Sequence, residues 1–197
     1  MKNNFLISKI FIFIFSFSFY DKSKSEELQL NATEIESLEK GNKILAKNGV
    51  EIKGSKGITI NADNAEYDKV KSIIKVKNNV KITDLINNYL LTSNEAIYFV
   101  KEDKIISKNE TVIEIEEKYI LVTSDITYDR KLKEIFSKNQ TTIQDNNNNI
   151  LNAGNFKLLI DDKVIEAKFI NLIDSDSNEH NIEIAKLNLE TNEIVGK

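Results

Sequence analysis

The chain has no cysteine, no proline and no tryptophan, and only one histidine and six glycines among 197 residues. Without cysteine there is no disulfide framework, no thiol chemistry and no lipid-modified N-terminal cysteine. Without proline, any edge strand lacks one of the usual guards against further pairing. A net charge of −4 and a pI near 5.3 stand against a nucleic-acid binder, which presents a basic stripe to phosphates. No glycine-rich phosphate loop is present. The lone His180 falls in a slot that other parts of the chain fill with Ile58, Tyr89 and Tyr119, so it reads as a packed or exposed side chain and not as a ligand. Asp174, Asp176 and Asn178 have the spacing of a calcium loop. Glu179 stands where that loop needs glycine, and Ala185 where it needs a bidentate glutamate, so no calcium site is expected. No catalytic constellation recurs. The chain reads as non-enzymatic, with no metal and no cofactor.

The first residues differ from the rest. Lys2 and Lys9 give a basic start, residues 10–20 (IFIFIFSFSFY) form an apolar run of eleven, and polar residues 21–27 follow. That is the layout of a secretory signal peptide, and the run is short for a bilayer span. Residues 1–25 are therefore expected to be a signal peptide and residues 26–197 an exported domain. Kept in place and extended by residues 5–7, the same segment would be an anchor with Lys9 inside it.

What the chain does contain is a concealed repeat of about thirty residues. One anchor position per unit gives Ser37, Tyr67, Tyr98, Tyr128, Leu158 and Leu189, in steps of 30, 31, 30, 30 and 31. Seven residues before each anchor stand Leu30, Ile60, Leu91, Leu121, Leu151 and Ile182. Seven after it stand Ile44, Ile74, Ile105, Ile135 and Ile165, and fifteen after it Ile52, Ile82, Ile113, Ile143 and Ile173. Identity between units is otherwise low. The repeat keeps an apolar wall and lets the surface vary.

Each unit reads as two strands. Ile58, Ile60 and Ala62 alternate with polar residues, the period of a half-buried strand. Parity then slips, because the next apolar residues are Ala65 and Tyr67. The slip recurs before Ala96 and Tyr98, Ile126 and Tyr128, and Phe156 and Leu158. One extra residue bends a strand and returns its side chains to the same face. In the second strand, Asn48-Gly49 and Asn78-Asn79 tolerate positive φ and allow a matching kink. Lys47, Lys77, Lys108, Lys138 and Lys168 alternate away from the apolar face and read as a solvated row.

The expected fold is all-β: an open, twisted β-jellyroll or solenoid of stacked antiparallel hairpins, six repeats long, with an apolar interior groove. The residues expected to line it are Ile60, Ala62, Ala65, Tyr67, Ile74, Leu91, Ala96, Tyr98, Ile105, Leu121, Ile126, Tyr128, Ile135, Phe156 and Leu158. Small inward side chains (Ala62, Ala65, Ala96, Ala153, Ala167) are expected to leave room inside. A filled β-solenoid core with a structural or adhesive role is the rival reading. The sixth unit stops before the second strand completes its pattern. The end strands, with Leu30, Asn31 and Ala32 in the first and Leu187, Asn188 and Leu189 in the last, are expected to be edges open to partner strands.

Residues 58–84 (ITINADNAEYDKVKSIIKVKNNVKITD), with LLTSNEAIYF and LVTSDITYDRKLKEIFSKNQTTI after them, resemble the OstA-like repeat of the lipopolysaccharide-transport family. The likeness rests on Ala62-Asp63, Ala65, Tyr67-Asp68, Asn79-Val80 and Ile82, and it spans about residues 28–197. It implies a periplasmic jellyroll associated with outer-membrane assembly, whose interior holds lipopolysaccharide acyl chains. It also implies edge-strand pairing with other members of the transport system. The opening NATEIESLEKGNKILAKNGVEI looks most like the N-terminal domain of LptD; a stand-alone LptA-like bridge is the alternative. The large barrel and cysteine pairs of LptD are absent from this sequence.

Overall fold

Residue alternation becomes sixteen strands in a computed structural model that describes residues 28–54, 57–173 and 178–196. The expected signal segment, together with Asp174 and Asp176, lies outside the described residues. The strands are β1 (Gln29–Asn31), β2 (Glu34–Leu38), β3 (Lys43–Lys53), β4 (Ile58–Asp68), β5 (Ile73–Asp84), β6 (Tyr89–Phe99), β7 (Lys104–Ile115) and β8 (Tyr119–Ser124). They continue with β9 (Thr127–Asp129), β10 (Glu134–Ser137), β11 (Thr141–Asp145), β12 (Ile150–Ala153), β13 (Asn155–Leu159), β14 (Val164–Ile173), β15 (Glu179–Asn188) and β16 (Ile194–Gly196). Pairing is antiparallel throughout, as short hairpin connections require. A 3-10 turn at Glu39–Gly41 interrupts the first hairpin. Among the described residues no helix is long and apolar enough to cross a membrane.

The parity slips are corners. Register shifts fall between Lys47 and Val50, Asn61 and Asn64, Lys77 and Val80, and Ser93 and Glu95. Asn48 and Asn78 take φ of 62° and Gly49 takes 83°, the positive values that these residue types tolerate best. Each long strand thus contributes to two arms. The first arm runs through β1, the C-terminal half of β3, the N-terminal half of β4, and so on to the N-terminal half of β15. The second runs through β2 and the complementary halves, ending at β16.

Farther along, the corners at Ser124-Asp125 and Ala153-Gly154 split strands outright. There β7 gives residues 110–115 to β8 and residues 104–106 to β9. At the other side β14 gives residues 164–168 to β13 and residues 171–173 to β12. The pairings close a ring of eight strands, β7-β8-β11-β12-β14-β13-β10-β9. This corrects the expected open jellyroll or solenoid: the sheet is closed on itself. The physical cause is that both arms branch from the same long strands and rejoin them, so no free edge is left between β7 and β14.

Inward side chains of both arms form one buried cluster from Ala46 to Leu189. Each fully buried Ile, Leu or Val contributes about 1.5–3 kcal/mol, and isoleucine is the commonest of the three in this core. The corners can be tested apart from this core. A Cβ added at Gly49 meets nothing within 4 Å, whereas one at Gly154 comes within 3.3 Å of Phe169. Gly49→Val should therefore cost about 1–3 kcal/mol from backbone strain alone. Gly154→Ala should be nearly neutral, because the exposed Phe169 ring can move. Urea denaturation of the two variants checks both statements.

Candidate interior groove and the seam that closes it

Fourteen of the fifteen inward residues named from the sequence are buried, and Tyr67 is partly buried against the same cluster. The structure therefore brings them together. It adds residues the alternation also marks but the list of fifteen omits, including Ile52, Ile82, Ile113 and Tyr119. The small residues have a different explanation from the one expected. Ala46, Ala62, Ala65 and Ala96 lie at or beside the corners, where the inside of a bend has least room. In the middle units Ser107, Thr111, Thr123, Ser137 and Thr141 take over those places, all buried. They hydrogen-bond one another or the backbone, as in Ser107 Oγ with Thr111 Oγ1 at 2.6 Å and Thr141 Oγ1 to Thr123 Oγ1 at 2.9 Å. Small size serves the bend; it does not by itself create space.

Space does appear near the C-terminal end. A cavity of about 190 Å³ is walled by Ile143, Leu151, Leu172, Leu187 and Ile194, with Tyr119, Asp145, Asn149 and Asn192 at its rim. On the outer face a depression of about 400 Å³ runs past Leu45, Glu66, Ile97, Lys47, Lys77 and Lys108. The lysine row is exposed along its length, as its parity requires.

Opposite the corners, the tips of the first arm meet the turns of the second and form a seam. Tyr98 Oη lies close to Gly54, so that a Cβ there would approach it within 3.5 Å. Glu116 pairs with Lys163 at 3.2 Å, and the Tyr119 hydroxyl donates to Asn192 Oδ1. Between these points sits a buried ionic cluster. Asp84, fully buried, begins the tip after β5. Its Oδ1 accepts the N–H groups of Ile86 and Asn87 at 3.0 and 3.1 Å. Its Oδ2 accepts the Tyr128 hydroxyl at 2.5 Å and Arg130 Nε at 3.2 Å, both from the second arm. Arg130 Nη1 also donates to Asp103 Oδ1 at 2.8 Å, which accepts the Tyr98 hydroxyl at 3.2 Å. Of the 27 lysines and arginines, Arg130 is the only arginine, and its side chain is 5% exposed. A guanidinium keeps its charge when buried and bonds two carboxylates through a planar fork; an ammonium does neither as well.

Burial works to raise the Asp84 carboxyl, but the bonds from Tyr128 and Asn87 and the Arg130 charge overcome it and hold it below the usual carboxylate range. Burial, then the neighbouring Asp84, push the Tyr128 hydroxyl well up. Burial alone would lower Arg130; the charges of Asp103 and Asp84 raise it instead. Asp84 and Arg130 thus face each other as charged groups at neutral pH. Sequence reading placed Tyr98 and Tyr128 inside but missed Asp84, Asp103 and Arg130. The signal available was the solitary arginine in a lysine-rich chain.

The edge residues divide. Leu30 and Asn31 lie in β1, whose outer side is unpaired among the described residues. Ala32 follows it and packs partly against the core. Leu187 is not an edge residue: it pairs with Ile165 on one side and Ile194 on the other. Asn188 instead caps a turn, its Oδ1 accepting from the N–H groups of Glu190 and Thr191, and Leu189 is buried. The chain turns at residues 189–193 and lays β16 over residues 185–187 of β15; among the described residues β16 does not extend along residues 179–184. His180 is exposed there, in the inward register opposite Leu172.

Among the described residues no group of three or more His, Cys, Asp or Glu side chains is placed to hold a metal ion. No protein-family model matches the chain, and no curated protein matches it.

The seam yields two expectations. Arg130→Ala leaves two buried carboxylates uncompensated and should cost about 3–5 kcal/mol, with Arg130→Lys recovering only part, as read by urea denaturation. The second concerns acid. Since the folded Asp84 titrates below its unfolded value, its stabilisation is present above roughly pH 4 and is lost as pH falls through the folded value. The stability gap between the natural chain and Asp84→Asn should accordingly be wide at neutral pH and shrink below about pH 4. A gap independent of pH would remove Asp84 from the charged seam.

Proposed function

We propose that this chain is a non-catalytic, exported carrier of lipid acyl chains, with lipopolysaccharide on its way to the outer membrane as the cargo. The observation that carries this reading is the continuous apolar interior. It runs through every repeat, while the outer face keeps only a solvated lysine row. A passage for acyl chains needs an apolar, unspecific wall, and that is the part of the repeat that is kept. The resemblance of residues 58–84 to the OstA-like repeat supports the same cargo and a periplasmic place of work. In this reading the domain corresponds to the N-terminal domain of LptD or to an LptA-like bridge. The free sides of β1 and β2 would receive a strand from a neighbouring member of the same system by strand addition.

Cargo would enter by parting the seam, since both arms otherwise bury the interior. The finer architecture of the working state is therefore a jellyroll with its seam open. A second reading has one specific observation in its favour. The inward side chains are already buried against one another, as a structural β-solenoid with a filled core would have them.

Lipid crosslinking separates the two. Photo-reactive residues at Leu91 and Leu121 should crosslink lipid A in cells, and the chain should co-purify with it by mass spectrometry. Ile74→Asp or Ile135→Asp should abolish the crosslink, and Lys77→Ser or Lys108→Ser should leave it unchanged. Crosslinks that respond to the lysines and not to the isoleucines would sink the carrier reading. No lipid at any inward position would favour the filled core.

A further inference from the structure

The turns of the second arm are chained by backbone hydrogen bonds. Val100 N–H donates to Ser72 O at 3.0 Å, Arg130 N–H to Asp103 O at 3.1 Å and Ile160 N–H to Lys133 O at 3.0 Å. They make a row along one lip of the seam. In that row Val70 is 70% exposed and Leu132 is 67% exposed. The Arg130–Asp84 bond ties the turn of Leu132 to the first-arm tip whose next residues, Leu85 and Ile86, are 72% and 68% exposed. Strands spaced about 4.8 Å apart put the turns of Val70 and Leu132 about 19 Å from each other. Val70 and Leu132 thus project from one lip of the seam, and Leu85 and Ile86 from the first-arm tip that faces it, all four outside the core.

Lysines flank two of them in the same way: Lys69-Val70-Lys71 and Lys131-Leu132-Lys133. The acids of these turns are committed to the turn itself. Asp68 Oδ1 accepts the Lys71 N–H at 2.9 Å and Asp129 Oδ1 the Leu132 N–H at 3.0 Å. Lys71 and Lys133 also hold pairs with Asp68 and Asp161, exposed pairs of the weak kind. Exposed apolar tips on projecting turns, two of them set between lysines, suit the headgroup boundary of an anionic bilayer, where apolar burial and lysine attraction add.

We propose that the seam lip is a docking surface for an anionic lipid bilayer, and that it sets the seam against the membrane. The proposal does not depend on acyl chains entering the interior. Docking without interior crosslinks would separate its fate from that of the carrier reading.

The absence of cysteine makes the test clean. Full-length chains carrying one cysteine at Ile86, Leu132, Val122 or Ile184 are labelled with an environment-sensitive fluorophore. Val122 and Ile184 serve as outer-face controls. With vesicles of phosphatidylcholine and phosphatidylglycerol, the probes at Ile86 and Leu132 should shift to the blue and the controls should not. Vesicles of phosphatidylcholine alone should give a weaker shift. Replacing Lys69, Lys71, Lys131 and Lys133 by glutamine should weaken the apparent affinity at least about tenfold. Equal shifts at all four sites would overturn the proposal. So would seam probes that stay in water while the chain sediments with vesicles, since the attachment would then lie elsewhere. A concentration-dependent shift without vesicles would assign the lip to a second copy of the chain and equally overturn it.

Discussion

A strand with a strict period of two cannot bend through a corner and still face one interior, because the bend carries its apolar side to the outside. The extra residue at each corner resolves this. Between Ala62 and Ala65 the register shifts, and the alternation restarts with its apolar residues inward again. Everything else follows from that step. It lets one strand serve two arms, lets the two arms enclose one core, and brings the far ends of the hairpins back together. The partner strand must bend at the same level. Asn48-Gly49 and Asn78-Asn79 supply the positive φ that this needs, and the inner side of the bend accepts only small residues.

The seam opposite the corners then depends on a few polar groups. The Asp84–Arg130–Asp103 cluster is buried, so its ions contribute little to net stability compared with an apolar replacement of the same shape. Its value is selective. Removing one member leaves charges stranded, so the cluster fixes which tip meets which turn and penalises any slip of one arm along the other. Tyr98 and Tyr128 join the two systems, since their rings belong to the apolar interior and their hydroxyls to the ionic cluster.

The corners, the isoleucine rows and the inward tyrosines were legible in the sequence because each is a local or regularly spaced signal. Closure was not. Asp84 and Tyr128 lie 44 residues apart in different hairpins, and nothing in a thirty-residue period says how two arms meet. The alanines were read as room for a ligand because sequence gives side-chain size without giving curvature. Leu187 was read as an edge because the last unit stops before its second strand completes the repeat pattern. Its side chain instead caps a turn, and Asn192 takes a φ of 58° to complete the reversal into β16.

A closed interior and a carrier's interior are compatible if closure is weak where it must yield. The corners are covalent and laddered on both sides. Among the described residues the seam rests on side-chain contacts and carries no strand ladder of its own, so it is where the proposed carrier would have its arms part. Parting the ionic cluster under a ligand that keeps its ions from water costs about as much as stranding a buried pair, about 3–5 kcal/mol. Each ligand methylene taken from water returns about 0.8 kcal/mol. About four to six buried methylenes thus offset the seam, provided the ligand replaces the contacts the two arms made with each other. Long acyl chains exceed that number several-fold and short amphiphiles do not. The seam would then act as a threshold on chain length, set by one arginine and two aspartates and not by the shape of the wall.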